Sequence, residues 1–387
     1  MSVRDLFSAG FRPFFLFAAV NAWASMLHWL YVLAGGAAPT HGWPPPTLHA
    51  HEMLYGTVVP TIAGFLLTAV PNWTSTARVQ GKALVGLSLL YASGRLAMWA
   101  AGLLHPFWVA FIDMAFLLVL AFFIGRPILR TSNWRNLGVV AVLLGLTLAN
   151  GVIHYGHAAG DGSLVRDGSW GAVYLVVMLM LIISGRVIPM FTRNTLRSMG
   201  EDPRVVSRRR LGAVAIVVAA MAMFADWIEP RGNVAAVLGL AAFPLLLIRQ
   251  SGWQFQRVLN LPMLWILHLG HAWLALGFAF LGLSNALGIG IGAAALHAFT
   301  AGAMGTLILG MLPRVTLGHS GRPIEASRTT VVMFACVIVG ASIRSLGAAG
   351  PTQGYLPSVL LGGCLWAFAW FLFTVAYWRI LVSPRLD

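Results

Sequence analysis

Two histidines and a glutamate crowd into the segment Leu48-His49-Ala50-His51-Glu52-Met53, at the start of a long apolar run. Neutral imidazole is a good ligand for iron, copper and zinc. A neighbouring carboxylate can ligate, accept a hydrogen bond from a ligand's outer N–H, or carry a proton. Ionisable groups are costly in apolar surroundings and usually persist there for a function. The chemistry this segment suggests is therefore a metal or haem centre, with His49, His51 and Glu52 as candidates.

Other apolar runs carry more of the same donors. His268 and His271 are one helical turn apart, so they share a face. His297 lies roughly two turns into a later run, and His154 and His157 end another. His49 and His51 are two residues apart and point in different directions on a helix. One can bind metal while the other caps, supports a ligand, or serves a second centre. A lone histidine in such a run is most often a helix–helix hydrogen bonder. Occurring together, His49, His51, His268 and His297 become the leading ligand candidates, with His271 and His154 behind them. His28, His41, His105 and His157 read as structural. Arg95 and Asp113 fall at similar depth in successive runs. They can pair with each other, or Arg95 can hold a haem propionate bidentately.

The elements that must position these groups are apolar helices. The chain of 387 residues is 59% hydrophobic and 9% charged, against about 25% charged for soluble domains. Twelve apolar runs near 12–34, 49–70, 83–104, 106–125, 136–157, 170–188, 211–228, 233–249, 261–283, 290–312, 329–348 and 356–379 are long enough to span a bilayer. The expected fold is all-α: a polytopic membrane protein of about twelve transmembrane helices in a single domain, 1–387, with no room for a soluble domain. If the runs alternate across the membrane, 21 of the 25 Lys and Arg residues lie on the side of the termini. By the positive-inside rule both termini are cytoplasmic. The net charge of +14 then reflects topology and anionic lipid rather than nucleic acid. The first span lacks a cleavage site and is expected to stay. Cys336 and Cys364 fall inside spans as packing residues, and no C-x-x-C-H occurs for covalent haem.

A pattern recurs along the chain. Pro71-Asn72-Trp73-Thr74, Pro189-Met190-Phe191-Thr192 and Pro313-Arg314-Val315-Thr316 all read P-x-x-T, with prolines 118 and 124 residues apart. Three units of four helices, about 1–130, 131–255 and 256–387, follow from that spacing. Haem–copper oxidases share such an arrangement, an analogy of architecture only. Their metal-ligand pattern is not repeated: span ten has one histidine, and spans six and seven have none.

Over nearly its whole length the chain resembles the NnrS family. The likeness runs through Gly10-Phe11-Arg12-Pro13-Phe14-Phe15, His49-Ala50-His51-Glu52-Met53, Gly64 to Thr74, Gly94-Arg95-Leu96-Ala97-Met98, Gly185 to Thr192, Leu261 to His268 and Arg314 to Arg322. Ser320 stands where that family usually has Thr. The resemblance implies a bacterial inner-membrane protein containing haem b and copper (or another second metal such as iron), associated with nitric oxide and relief of nitrosative stress. It favours His49, His51, His268 and His297 as ligands, with His271 and His154 secondary. An oxidoreductase of the nitric oxide reductase type would take protons through Glu52 or His49 and electrons from an external donor, quinol being one option. The alternative is a metal or haem transporter or handling protein without redox turnover.

Overall fold

A membrane-spanning helix satisfies its own backbone hydrogen bonds, which lipid cannot do for it. The computed structural model follows that rule: 84% of residues are helical, and no strand occurs among the described residues, which are 3–37, 42–202, 204–287, 292–349 and 354–386. His41 lies outside them.

Among the described residues long helices stand at the twelve apolar runs, one at each. They are α1 (Phe11–Leu33), α2 (Pro45–Thr74), α3 (Lys82–Trp99), α4 (Pro106–Arg130), α5 (Leu137–Ala159), α6 (Gly162–Ser198), α7 (Arg209–Ile228), α8 (Asn233–Ser251), α9 (Pro262–Leu287), α10 (Gly292–His319), α11 (Arg328–Ala349) and α12 (Tyr355–Leu381). Eleven are long and apolar enough to cross a membrane. The exception is α3, where Lys82, Ser88, Ser93 and Arg95 dilute the apolar character. The protein is a multi-pass membrane protein of the all-α class.

The chain divides into two compact units. The first is Met1–Leu175 with Val315–Pro323 and Trp370–Asp387; the second is Val176–Arg314 with Ile324–Ala369. In the first unit, Arg12 of α1 donates to the carbonyls of Ile380 and Leu381 at the end of α12, at 3.4 and 2.9 Å. A cation over the unsatisfied carbonyls of a helix C-terminus is favourable. This gives the Gly10–Phe15 motif a structural task.

Among the described residues each unit also contains one wide-turn segment. Within α2, Glu52–Val58 forms a π-helix directly after His51. Within α10, Ala298–Met304 forms another directly after His297. Such segments are rare and frequent at functional sites. In α2 the local cause is legible. Pro60 has no N–H, so the Gly56 carbonyl four residues earlier loses its helical donor. The Tyr91 hydroxyl replaces it at 2.6 Å. In α10 the indole N–H of Trp366 donates to the Ala301 carbonyl at 3.3 Å.

Candidate metal centre

The first unit builds a cluster around Asp113. Helix α3 can approach α4 closely because Gly94 has no side chain; a Cβ there would stand 3.2 Å from the Asp113 Cα and Oδ1. The neighbouring Arg95 then forks between two acids. Its Nη1 pairs with Glu52 Oε1 and its Nη2 with Asp113 Oδ1. Two carboxylates thus share one guanidinium.

The other carboxylate oxygen, Asp113 Oδ2, faces the histidines. His51 Nε2 and His154 Nε2 each lie 3.1 Å from it. The Asn150 amide donates to it at 2.7 Å and presents Oδ1 to His51 Nε2 at 2.9 Å. Asn150 and His154 are i, i+4 on α5, which places both on one face. His51, Asp113 and His154 each offer one ligand atom, all within 4.8 Å of one another, and all three residues are buried. Ligands bonded to one metal at about 2.0–2.2 Å sit about 3 Å apart, so these separations fit a metal ion. Two imidazoles and a carboxylate form the donor set of non-haem iron and of some catalytic zinc sites.

The surroundings suit that role. Nδ1 of His51 is buried without a hydrogen-bond partner and lies 3.6 Å from Glu52 Oε1. A carboxylate behind a ligating histidine orients the ring and makes it more basic. Tyr55 stacks on His51 at 4.8 Å between ring centroids. Trp43 packs on His51 and His154 at 5.4 and 5.2 Å. These rings shield the polar centre.

The second unit holds a different histidine arrangement on α9. His268 Nε2 meets Thr192 Oγ1 at 3.1 Å, and His271 Nδ1 meets Ser184 Oγ at 3.0 Å. Both hydroxyls come from α6. Arg249 of α8 lies against Gly185 of α6, where any Cβ would overlap the guanidinium. It donates to the Leu181 carbonyl at 3.2 Å.

With both arrangements in view, the sequence motifs acquire physical tasks: Arg12 caps a helix, His51 and Arg95 converge on Asp113, and Gly185 admits Arg249. The family described as NnrS protein matches residues 5–385. The chain belongs to the NnrS family. No curated protein matches it.

Within this NnrS-family chain the candidate residues separate clearly. His51, His154, Glu52 and Arg95 stand together, joined by Asp113. His49 does not join them. Its ring stacks on Trp29 at 4.9 Å and lines a small pocket with Ser25, His28, Pro45, Trp99 and Glu52. The two-residue spacing of His49 and His51 did send them in different directions. His268 and His271 form the second unit's pair. His297 sends Nδ1 back to the Ala293 carbonyl at 2.7 Å. The other histidines make local contacts: His28 with Trp99, His157 with Trp43, His319 with Phe11, and His105 as a cap on Phe107.

Sequence reasoning missed several members. Asp113 was read only as an ion-pair partner, and Asn150, Thr192 and Ser184 were not candidates. Asn150 carried a usable signal, its i, i+4 spacing from His154. Thr192 and Ser184 carried none, because hydroxyls are common in membrane helices and usually bond their own backbone.

Proposed function

We propose that this chain is a bacterial inner-membrane metalloprotein that binds nitric oxide at the His51–Asp113–His154 centre and reduces it, relieving nitrosative stress. The carrying observation is the buried convergence of two imidazole nitrogens and one carboxylate oxygen in a chain whose family is tied to nitric-oxide-related haem and metal proteins. Nitric oxide is small and apolar, and a centre among apolar helices is reached directly from lipid. Reduction joins two molecules of nitric oxide with two electrons and two protons to give nitrous oxide and water. Haem b and a second metal, copper or iron, supply the redox chemistry when bound.

The chain's own residues divide the remaining work. His51 and His154 offer Nε2, and Asp113 adds the negative charge that favours a cation. Arg95 holds Asp113 and Glu52 in place. Glu52 Oε2 is buried without a hydrogen-bond partner, and Glu52 is the group we assign to proton delivery, with His49 beyond it along the pocket wall. His297, with Nδ1 engaged by a backbone carbonyl, has its tautomer set for ligation through Nε2. Electrons come from an external donor, with quinol the favoured class. Both termini face the cytoplasm, and lipid surrounds the helices.

The deciding measurement is the reduced-minus-oxidised optical spectrum of the purified protein with and without nitric oxide, alongside metal analysis. A b-type spectrum that shifts with nitric oxide is expected, with lower haem or metal content in His51→Ala and His297→Ala. Unchanged content and nitric oxide consumption in both variants would sink the assignment. Exchangeable, substoichiometric metal with no nitric oxide consumption would instead identify a metal- or haem-handling protein.

A further inference from the structure

The Asp113 cluster lies close to one end of its helices. His51 is in the second turn of α2 and His154 in the last turns of α5, which puts both within about 10 Å of those helix ends. With the helices alternating across the membrane, these ends face away from the termini. Water comes nearest to the cluster there, and one side chain stands between. Gly42 and Pro44 are exposed, while Trp43 between them is buried, with 8% of its surface open. Its indole turns in from the loop before α2. It packs at steep angles on His51 and His154, with ring centroids 5.4 and 5.2 Å away.

This ring is fastened from two directions. His157, one turn beyond His154 on α5, stacks on the indole at 4.3 Å and hydrogen-bonds the Gly42 backbone. Gly42 itself has φ +75°, a conformation that favours glycine. A Cβ there would stand 3.1 Å from the Gly102 backbone. The loop is therefore held between the end of α5 and the turn that follows α3.

The flanks of the cluster are of another kind. On α4 and α5 the exposed side chains include Phe111, Leu118, Leu144 and Leu148, an apolar face turned to lipid. A charged, hydrated ligand would have to shed its water to cross that face, whereas a small uncharged molecule would not. The short path for a charged ligand runs from the helix ends, and Trp43 fills it. We infer that Trp43, latched by His157, is a specificity-determining plug that closes the aqueous approach to the His51–Asp113–His154 centre. It admits small uncharged ligands that arrive through lipid and holds back ions. The restriction is one of rate, and equilibrium affinity at the centre does not depend on it. This inference rests on reading that group as the binding centre.

The test puts a thiol in the centre and asks which reagents reach it. In a full-length chain with Cys336 and Cys364 replaced by Ala, His154→Cys is treated in proteoliposomes with a cationic methanethiosulfonate and, separately, with neutral N-ethylmaleimide. With Trp43 in place the neutral reagent should react readily and the cationic one slowly. Trp43→Ala should speed the cationic reagent at least about 10-fold, since the aromatic contacts that hold the plug are lost, and change the neutral one little. His157→Ala keeps the plug but removes its latch, and should act in the same direction by a smaller factor. Equal acceleration of both reagents, or of neither, would overturn the proposal. If His154→Cys does not fold, Asn150→Cys places the thiol one turn away; if Trp43→Ala does not fold, His157→Ala decides. Neither metal nor nitric oxide enters the measurement, so its failure leaves the functional reading standing, and failure of that reading in the spectral assay leaves these rates unchanged.

Discussion

In the first unit, His51 and His154 share an Asp113 carboxylate that also grips Arg95, whereas in the second His268 and His271 are steadied by hydroxyls alone. Both places use buried imidazole. They differ in what surrounds it. The Asp113 cluster sets its histidines and its arginine against carboxylates, while His51 Nδ1, Glu52 Oε2 and Arg95 Nε stay without hydrogen-bond partners. The α9 pair leaves two ring nitrogens bare, with Arg249 as the nearby charge. The same donor type thus sits in unlike electrostatic surroundings, and counter-charge is worth most where water is excluded.

The two π-helices make a parallel comparison. Each follows a histidine, and in each an aromatic side chain donates to a backbone carbonyl. In α2 the device turns His51 into a three-residue cluster. In α10 the matching His297 folds onto its own backbone. The same local deformation therefore serves different ends, according to which helices pack beside it.

The strongest break in the contrast comes from Asp113→Ala. It leaves Arg95 with Glu52 as its one acid and removes the shared acceptor of His51 and His154. A loss of about 3–5 kcal/mol is expected for breaking a buried ion pair, seen as a lower thermal midpoint in detergent, together with loss of Zn(II) binding. Normal Zn(II) affinity would show that the carboxylate is not a ligand. Arg95→Met should cost a similar amount, about 3–5 kcal/mol, because Glu52 and Asp113 are left facing each other. Adding Glu52→Gln should recover part of that loss, and a simple sum of the two effects would argue against coupling.

Smaller effects sharpen the comparison. Tyr91→Phe leaves the Gly56 carbonyl without its donor and should cost about 1–3 kcal/mol. Trp366→Phe removes a longer hydrogen bond at the other π-helix and should cost about 0.5–1.5 kcal/mol. If the order of these two midpoints reversed, the account of the α2 π-helix through Pro60 would need replacing. Arg249→Met breaks no ion pair among the described residues but gives up the hydrogen bond to the Leu181 carbonyl, and should cost no more than about 0.5–1.5 kcal/mol, read from the same thermal midpoint. A loss larger than that of Asp113→Ala would reverse the contrast between the two units.

Much of this architecture was legible in the residues. A helix stands at each of the twelve apolar runs, though α6 runs well past its expected bounds at both ends and α3 is not apolar enough to count as a span; a run of about 20 apolar residues has few other ways to satisfy its backbone in lipid. The divergence of His49 from His51 followed from helical spacing. The joining of Glu52, Arg95 and Asp113 was only half visible. Their depths suggested the Arg95–Asp113 pair, but nothing in the spacing joined Glu52 to them. Asn150 could have been found beside His154. The hydroxyls under His268 and His271 could not.

By itself the sequence determined the class, the helices and the inventory of donors, since hydrophobicity and the helical repeat act locally along the chain. Only the tertiary structure decided which donors meet. It brought His51 of α2, Asp113 of α4 and Asn150 and His154 of α5 to one carboxylate, and it left His49 stacked on Trp29. The physical reason is that convergence depends on packing. Gly94 sets how closely α3 meets α4, and the π-helix after His51 alters the turn just where that histidine enters the cluster. No local rule of spacing encodes either.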